Sequence, residues 1–154
     1  DKLGKLATRR DGSLDRQDKK AFQDDIVLIH DAARPCLSQK LISDCLEAIQ
    51  GHDGVLPVLP CKDTMYSSTN GKNITGLLQR NQIFFGQAPE AFLLEKYYKA
   101  NLGLLPDEIL KINGSTEPAV LARLDVAMIA GDENNFKITT KADLERFRMQ
   151  IEDV

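Results

Sequence analysis

Apolar positions along this chain alternate between short β-branched runs and segments with helical spacing. The runs at 26–29, 55–59 and 126–129 each predict a strand, the first of them a buried parallel strand, and 136–138 predicts another. Segments with helical spacing separate these runs. Strands that alternate with helices indicate an α/β fold, an open layered sandwich.

The first predicted helix follows the strand at 26–29. Ser38 is a suitable N-cap and Gly51 is a natural end, so we expect a helix that runs to about residue 50. The strand after this helix contains Pro57 and is followed by Pro60. Proline disfavours an unbroken ladder in the centre of a sheet, so we expect this strand to be interrupted.

Three further helices and a short helical piece at 107–112 are predicted in the second half of the chain. Residues 90–100 have helical spacing, and Ser115 or Thr116 can cap a second helix. Thr140 and Asp143 form a capping-box pattern in front of the last helix. The side chains expected to face inward from the helices are Leu41, Ile42, Cys45, Leu46, Ile49, Phe92, Leu93, Tyr97, Leu144, Phe147 and Ile151.

Residues 63–85 have a different pattern. Asn70 and Gly71 are a favoured pair for a tight hairpin turn, and the segments on either side have little apolar face. A two-stranded hairpin is marginal by itself, so this one needs a surface to lie against. The alternative is a surface hairpin with no support.

Composition narrows the functional class. The 154 residues correspond to one domain, and a net charge of -3 without a basic cluster argues against a nucleic-acid partner. With no apolar span and no visible signal peptide, we expect no membrane contact and a cytoplasmic protein, or one in a plastid-type organelle if eukaryotic. The three cysteines lack metal-site spacing and indicate free thiols.

The polar start of the chain differs from the rest. Residues 1–25 are rich in Lys, Arg and Asp and show no convincing periodicity, so we interpret them as a poorly defined segment. Residues 26–154 then form a single domain, with 63–85 as a projecting hairpin.

The candidate site follows the first strand directly, in the string His30–Pro35 (HDAARP). Open α/β sheets bind ligands at the carboxyl ends of their strands, so Asp31 and Arg34 lie at the mouth of a site. Asp31 could hold a metal ion or a substrate hydroxyl, and Arg34 could bind a phosphate. The structural alternative is that Asp31 caps the turn and Arg34 pairs with it. We interpret His30 as a buried residue at the strand end.

Further motifs follow HDAARP in order. They are Pro57-Val58, Lys62-Asp63-Thr64, QAPEAF at 87–92, GDENNFKITT at 131–140 and Asp143-Leu144. Together these motifs, over about residues 26–147, resemble the 2-C-methyl-D-erythritol 4-phosphate cytidylyltransferase family of the non-mevalonate isoprenoid pathway. The resemblance implies a Rossmann-like layered sandwich of the nucleotide-diphospho-sugar transferase type. It also implies a homodimer in which the 63–85 arm crosses to the second subunit.

The resemblance implies a nucleotidyltransferase that joins CTP to 2-C-methyl-D-erythritol 4-phosphate and releases pyrophosphate, with Mg²⁺ or another divalent cation. Asp31 and Lys137 would be catalytic, Asp31 as a metal ligand or hydroxyl acceptor and Lys137 as the group that reaches the phosphates. Arg80, in the arm, would contact the substrate phosphate in the neighbouring subunit's site. The implied substrate-binding residues are Arg34, Arg80, Ser115 and Asn135.

Three departures from the family pattern are visible. Ala88 stands where the family has a phosphate-binding Thr, and Thr116 stands where it has an Asp. The glycine-rich loop that holds the triphosphate of CTP has no match, so the nucleotide-binding residues are unknown. We therefore expect the later part of a longer enzyme, and expect this piece alone to be inactive.

Two alternatives stay open. The first is a ribulose 5-phosphate cytidylyltransferase, although relatives of that type usually have Val where this chain has Ala33. The second is a non-catalytic, dimerising scaffold, which the missing loop and Ala88 favour and the four charged residues at site positions oppose.

Overall fold

The computed structural model describes residues 25–152, so the segment predicted at 1–25 lies outside the described residues except for Asp25. The described part is a mixed α/β structure. Its strands are β1 (Ile26–Ile29), β2 (Gly54–Pro60), β3 (Met65–Ser67), β4 (Gly76–Leu78), β5 (Phe84–Gly86), β6 (Glu90–Leu93) and β7 (Val126–Ala130). Its α-helices are α1 (Gln39–Ala48), α2 (Leu94–Leu102), α3 (Glu117–Leu121) and α4 (Lys141–Glu152), and 3₁₀ turns lie at Arg80–Gln82 and Glu108–Lys111.

Strand β2 lies in the middle of the five-stranded sheet. It pairs in parallel with β7 on one side and antiparallel with β5 and β6 on the other. Strand β1 pairs antiparallel with β6, so β1, β2 and β7 all point the same way. Their carboxyl ends therefore lie at the same edge of the sheet, where the site is expected.

The strand predicted at 26–29 is present, but the prediction that it is buried and paired in parallel is wrong. Within the described part of the chain, β1 pairs only with the antiparallel strand β6. Ile26 and Leu28 are 39% and 38% exposed. An apolar run indicates a strand that favours burial, but it carries no information about the direction of the neighbouring strand.

Pro57 does not interrupt β2, contrary to the prediction. It is fully buried, and its carbonyl accepts a hydrogen bond of 2.8 Å from the backbone N–H of Gln87. Gln87 lies between β5 and β6 and opposite Pro57, so the missing N–H of Pro57 falls where the partner of β2 changes from β5 to β6. Proline is tolerated at such a position because the ladder ends there in any case.

Helix α1 follows the prediction closely. The Ser38 hydroxyl accepts the N-capping hydrogen bond from Leu41 N at 3.2 Å, and Gly51 has the positive φ of 87° expected of a helix end. Cys45 and Ile49 pack with Val55 and Ala91 in the core between α1 and the sheet. Leu46, predicted to face inward, is 39% exposed.

Two secondary-structure predictions in the second half are wrong. The segment 90–93 is strand β6 and the helix begins only at Leu94, because β6 is hydrogen-bonded to β1 and β2 on its two sides. Such pairing overrides a helical spacing of apolar residues. Residues 136–138 form no strand, and Ile138 N donates a single backbone bond of 2.8 Å to Ala33 O.

The hairpin is confirmed, but its turn is not tight. Strands β3 and β4 pair from Met65 opposite Leu78 to Ser67 opposite Gly76, with residues 68–75 between them. Asn70 shapes this wider loop, because its Oδ1 accepts hydrogen bonds from the backbone N–H groups of Lys72 and Asn73.

The last two helices agree with the prediction in position. Neither candidate hydroxyl caps α3, which has no side-chain capping bond. The capping box of α4 is present, but Leu144 and Ile151, predicted to face inward, are 38% and 56% exposed. None of the described helices is long and apolar enough to cross a membrane.

Candidate functional site

Asp31 and Arg34 lie at the carboxyl end of β1, as predicted. Arg34 N donates to Asp31 O at 2.9 Å, which closes the turn, and Arg34 Nε lies 3.2 Å from Asp31 Oδ2. The turn at Asp31 and the Asp31–Arg34 ion pair, which the structural alternative requires, are therefore both present. That alternative does not explain why a second cation also contacts Asp31.

Lys137 joins this pair from another loop. Its Nζ lies 3.2 Å from the same Asp31 Oδ2, so two cations converge on one carboxylate oxygen. Partial burial opposes the charge of Asp31, but the hydrogen bonds from Lys137 and Arg34 outweigh it and hold the pKa of Asp31 below its usual value. The structure thus brings the three predicted site residues together, and their catalytic and binding roles stay predictions.

Arg34 also connects the two loops. Its side chain is only 11% exposed, and its Nη1 donates to Asn135 O at 2.7 Å. Asn135 is fully buried, and its Nδ2 donates to Ala88 O at 2.6 Å. Asn135 Oδ1 has no hydrogen-bond partner. The predicted site residue Asn135 therefore borders the Asp31 cluster through Arg34.

Gln87 holds the loop that carries Lys137, a role that the sequence analysis missed. Its buried amide donates to Asp132 O and Asn135 O at 3.0 and 3.3 Å and accepts from Asp132 N at 2.9 Å. Gly131 must be glycine, because a Cβ there would lie 3.1 Å from Val58 O and closer still to Gln87 Oε1. The motif QAPEAF contained Gln87, but nothing in it distinguishes a buried glutamine from an exposed one.

Glu90 was also missed, and it is a second carboxyl at the site. Burial raises the pKa of Glu90, the charge of Asp31 adds to this, and the facing hydroxyls of Ser115 and Thr116 and the charge of Arg34 oppose it. Ser115, predicted to bind substrate, therefore lies on the Glu90 side, where its carbonyl accepts a 2.8 Å hydrogen bond from Tyr97 OH.

Arg80 does not join the cluster within one chain. It is exposed, and its Nη1 donates to Lys62 O at 3.1 Å at the base of the hairpin. Lys62 in turn forms an ion pair with Glu133, in the loop that precedes Lys137. The prediction that Arg80 acts in a neighbouring subunit concerns a second chain and stays a prediction.

A cleft of about 340 Å³ opens between the hairpin base and the Glu133 loop. Arg146 covers one side of it, with its guanidinium carbon 4.0 Å from the centre of the Phe136 ring. The residues that line the cleft are Leu59, Pro60, Lys62, Asp63, Phe85, Gln87, Glu133, Phe136 and Arg146. The cleft has apolar walls, two cations (Lys62 and Arg146) and two carboxylates (Asp63 and Glu133), and Lys62 is paired with Glu133.

His30 and the cysteines have no catalytic geometry. His30 is exposed rather than buried as predicted, and its Nε2 lies 2.9 Å from Arg34 O, so it helps to shape the loop. The three cysteines are free, as predicted. Burial raises the pKa of the Cys45 thiol to about 11, which makes it a poor nucleophile.

Known proteins are similar to this chain in sequence and in fold. The family model IspD, 2-C-methyl-D-erythritol 4-phosphate cytidylyltransferase, matches residues 8–152. A 2-C-methyl-D-erythritol 4-phosphate cytidylyltransferase of Roseobacter denitrificans is 34% identical over 125 residues, which cover 79% of this chain and 53% of the relative. A ribitol-5-phosphate cytidylyltransferase of Streptococcus pneumoniae is 33% identical over 129 residues, 84% of this chain and 55% of the relative.

The fold has solved counterparts as well. The crystal structure of 2-C-methyl-D-erythritol 4-phosphate cytidylyltransferase from Thermus thermophilus matches with a TM-score of 0.72 and 28% identity, covering 82% of this chain and 62% of that one. The chain spans about half the length of the two relatives described above.

Proposed function

This chain belongs to the 2-C-methyl-D-erythritol 4-phosphate cytidylyltransferase family, and from that premise we propose that the full-length protein transfers a cytidylyl group from CTP to 2-C-methyl-D-erythritol 4-phosphate. In this reaction a phosphate oxygen of the substrate attacks the α-phosphorus of CTP. A new P–O bond forms, the bond between the α-phosphorus and the bridging oxygen breaks, and pyrophosphate leaves. No covalent enzyme intermediate is needed, so the reaction requires no activated thiol or hydroxyl.

The observation that carries the proposal is the convergence of Lys137 and Arg34 on Asp31 at the carboxyl end of β1. Two anions must be aligned and the charge that develops at the attacked phosphorus must be neutralised. Lys137 is 47% exposed, so its ammonium group can leave Asp31 for a phosphate, while the largely buried Arg34 holds the loop. Asp31 keeps the lysine oriented until the substrate arrives.

The residues present fit a Mg²⁺ ion for which the protein supplies only one or two ligands. Within residues 25–152 no three His, Cys, Asp or Glu side chains lie close enough together to hold a metal ion by themselves. Mg²⁺ commonly takes one or two carboxylates and completes its coordination with substrate phosphates and water. Asp31, 39% exposed, would be that carboxylate, and the bound ion would neutralise phosphate charge.

The exposed apolar surface of the hairpin supports a homodimer. Tyr66, Ile74 and Leu77 are 56%, 69% and 68% exposed, an apolar surface that a lone hairpin leaves in water. A second copy that covers this surface would bring Arg80 towards the neighbouring active site. The dimer would then be part of the catalyst.

The test is pyrophosphate release by the full-length gene product with CTP and Mg²⁺. We expect release with 2-C-methyl-D-erythritol 4-phosphate and none when either substrate or the metal is omitted. A folded dimer that releases no pyrophosphate with any sugar phosphate would contradict the proposal and favour the scaffold alternative.

A second candidate function has support from the Streptococcus pneumoniae relative, which is named for ribitol 5-phosphate and is almost as similar as the Roseobacter protein. A pentitol or pentulose phosphate, such as ribitol or ribulose 5-phosphate, would use the same Lys137 and Arg34 contacts. The same assay should therefore offer these phosphates in parallel, because release with only one of them identifies the acceptor.

A further inference from the structure

Glu90 is a second carboxyl beside Asp31 that the proposed reaction does not use. It begins β6 and lies directly across from Ile29 in the β1–β6 ladder, next to the loop that carries Asp31 and Arg34. The charges of Asp31 and Arg34 both act on its carboxyl group. Glu90 therefore borders the same site as the catalytic cluster.

The site contains buried oxygen atoms that have no hydrogen-bond partner. Glu90 Oε2 and Thr116 Oγ1 are two of them. Asn135 Oδ1 is the third, in a side chain with no exposed surface. Because Nδ2 of Asn135 donates to Ala88 O, the orientation of this amide is fixed and its oxygen is the unpaired atom.

Unpaired buried acceptors are destabilising, so their presence at a site calls for a functional explanation. Carboxylate and amide oxygens accept hydrogen bonds, and the ligand groups that donate to them are hydroxyls. A phosphate would be repelled by Glu90 and attracted by Lys137 and Arg34. The charges therefore orient a phosphorylated ligand with its phosphate towards the two cations and its hydroxylated carbon chain towards Glu90.

We propose that Glu90, together with Thr116, binds a hydroxyl group of the acceptor substrate and sets the specificity for a polyhydroxylated carbon chain. This inference rests on the proposed function, because it assigns the part of the acceptor that Lys137 and Arg34 leave unrecognised. Glu90 is only partly buried as a residue, but its Oε2 is buried and unpaired, so a ligand hydroxyl placed against this oxygen would complete its hydrogen bonding. Sites that hydrogen-bond a substrate hydroxyl discriminate strongly against analogues that lack it.

The experiment compares hydroxylated and deoxy acceptors in the full-length gene product. Whichever acceptor is active is paired with analogues that each lack one hydroxyl, and kcat/KM is measured for the wild type, Glu90→Gln and Thr116→Val. We expect the wild type to prefer the intact acceptor by roughly 100-fold or more at one hydroxyl. Glu90→Gln should reduce that preference to a few-fold by lowering kcat/KM for the intact acceptor only. Glu47→Gln, an exposed carboxyl on α1, is the matched control and should keep the preference.

Thermal stability distinguishes a functional from a structural role of Glu90, because replacing a structural residue lowers Tm. Replacing an unpaired buried carboxyl should leave Tm of Glu90→Gln unchanged or raise it, as is common when a functional residue is replaced. A lower Tm together with unchanged discrimination would overturn the inference. Equal discrimination in the wild type, Glu90→Gln and Thr116→Val would overturn it regardless of Tm.

Binding without CTP separates this inference from the proposed reaction. Calorimetric titration with the intact acceptor phosphate should show about 10-fold or more weaker binding to Glu90→Gln, and an unchanged affinity would overturn the inference. If the wild type transfers no cytidylyl group but still binds the hydroxylated phosphate in a Glu90-dependent manner, the proposed function fails and the assignment of Glu90 stands.

Discussion

The Nζ atom of Lys137 lies 3.2 Å from Oδ2 of Asp31, and this contact joins the loop after β7 to the loop after β1. The two side chains are 47% and 39% exposed. An ion pair this open to water contributes about 1 kcal/mol or less to stability. Its position at the site, rather than its contribution to stability, therefore explains why both charges are present.

Replacing Lys137 by alanine should lower turnover strongly and leave the fold intact. The ammonium group neutralises phosphate charge in the proposed reaction, and loss of one such group reduces turnover by roughly 100- to 1000-fold. Because the ion pair is exposed, Tm should change little. Steady-state pyrophosphate release and thermal unfolding of the same preparation measure both quantities.

Lys40→Ala is the control for Lys137→Ala. Lys40 also pairs with a carboxylate, Asp44, but on the surface of α1 away from the site. Its replacement should change neither turnover nor Tm appreciably. Turnover of Lys137→Ala equal to that of Lys40→Ala would remove Lys137 from the catalytic machinery.

The sequence predicted best what depends on neighbours in the chain. The N-cap at Ser38, the capping box at Thr140 and Asp143, and the placement of Asp31 at a strand end are all decided within a few residues. Predictions failed where residues that are distant in the sequence decide the local structure. Residues 90–93 form a strand because β1 and β2 flank them, and no local pattern encodes those partners.

The same division between local and long-range determinants applies to the candidate site. The motifs singled out Asp31, Arg34 and Lys137 as site residues, whereas the supporting residue Gln87 and the second carboxyl Glu90 became visible only in three dimensions. Gln87 is buried because it pairs with backbone groups of a loop 45 or more residues away. Such long-range hydrogen bonds leave no periodic signal in the sequence.

Replacing Gln87 by leucine should destabilise the loop that carries Lys137. The side chain donates to two carbonyls and accepts from Asp132 N, and all three hydrogen bonds would be lost. Each buried backbone group left unpaired costs about 1–3 kcal/mol. Denaturant unfolding should therefore show a free energy of unfolding lower by at least about 1–3 kcal/mol, with a raised KM for the acceptor. The exposed Gln39, changed to leucine, is the control, and equal stabilities would contradict the assigned role.

The capping box of α4 should make stability depend on pH at the acidic end. Hydrogen bonds from the backbone N–H of Thr139 and from the hydroxyl and N–H of Thr140 lower the pKa of Asp143 to about 2, from an unfolded value of 3.8. A carboxyl with a lowered pKa stabilises the fold above its unfolded pKa, and this stabilisation is lost as pH falls through the folded value. Asp143→Ala should thus have a lower Tm than the wild type at pH 7.

The difference in Tm between the wild type and Asp143→Ala should shrink between about pH 4 and pH 2, which thermal unfolding across that range would measure. Glu145→Gln, an exposed change on the same helix, is the control and should show no comparable dependence. A difference in Tm that stays constant down to pH 2 would show that Asp143 acts through something other than its charge.

Replacing Arg80 by alanine should impair catalysis without separating the subunits, provided that the arm reaches a neighbouring site. Among the described residues of its own chain, the side chain of Arg80 hydrogen-bonds only to Lys62 O, at the base of the hairpin. Its effect on turnover would therefore come from the second subunit. Steady-state pyrophosphate release and the mass of the assembly in solution measure the two properties separately. Lys72→Ala changes an exposed residue in the hairpin loop and is the control, which should leave turnover and the mass of the assembly unchanged.

Complementation tests the location of Arg80 directly. In the proposed homodimer, a mixture of Arg80→Ala and Lys137→Ala protomers would give heterodimers in which one site has both residues intact. After subunit exchange, activity should recover to roughly a quarter of the wild type, because half of the dimers are mixed and each has one intact site. No recovery in mixtures shown by mass to contain heterodimers would place Arg80 and Lys137 in the same subunit's site.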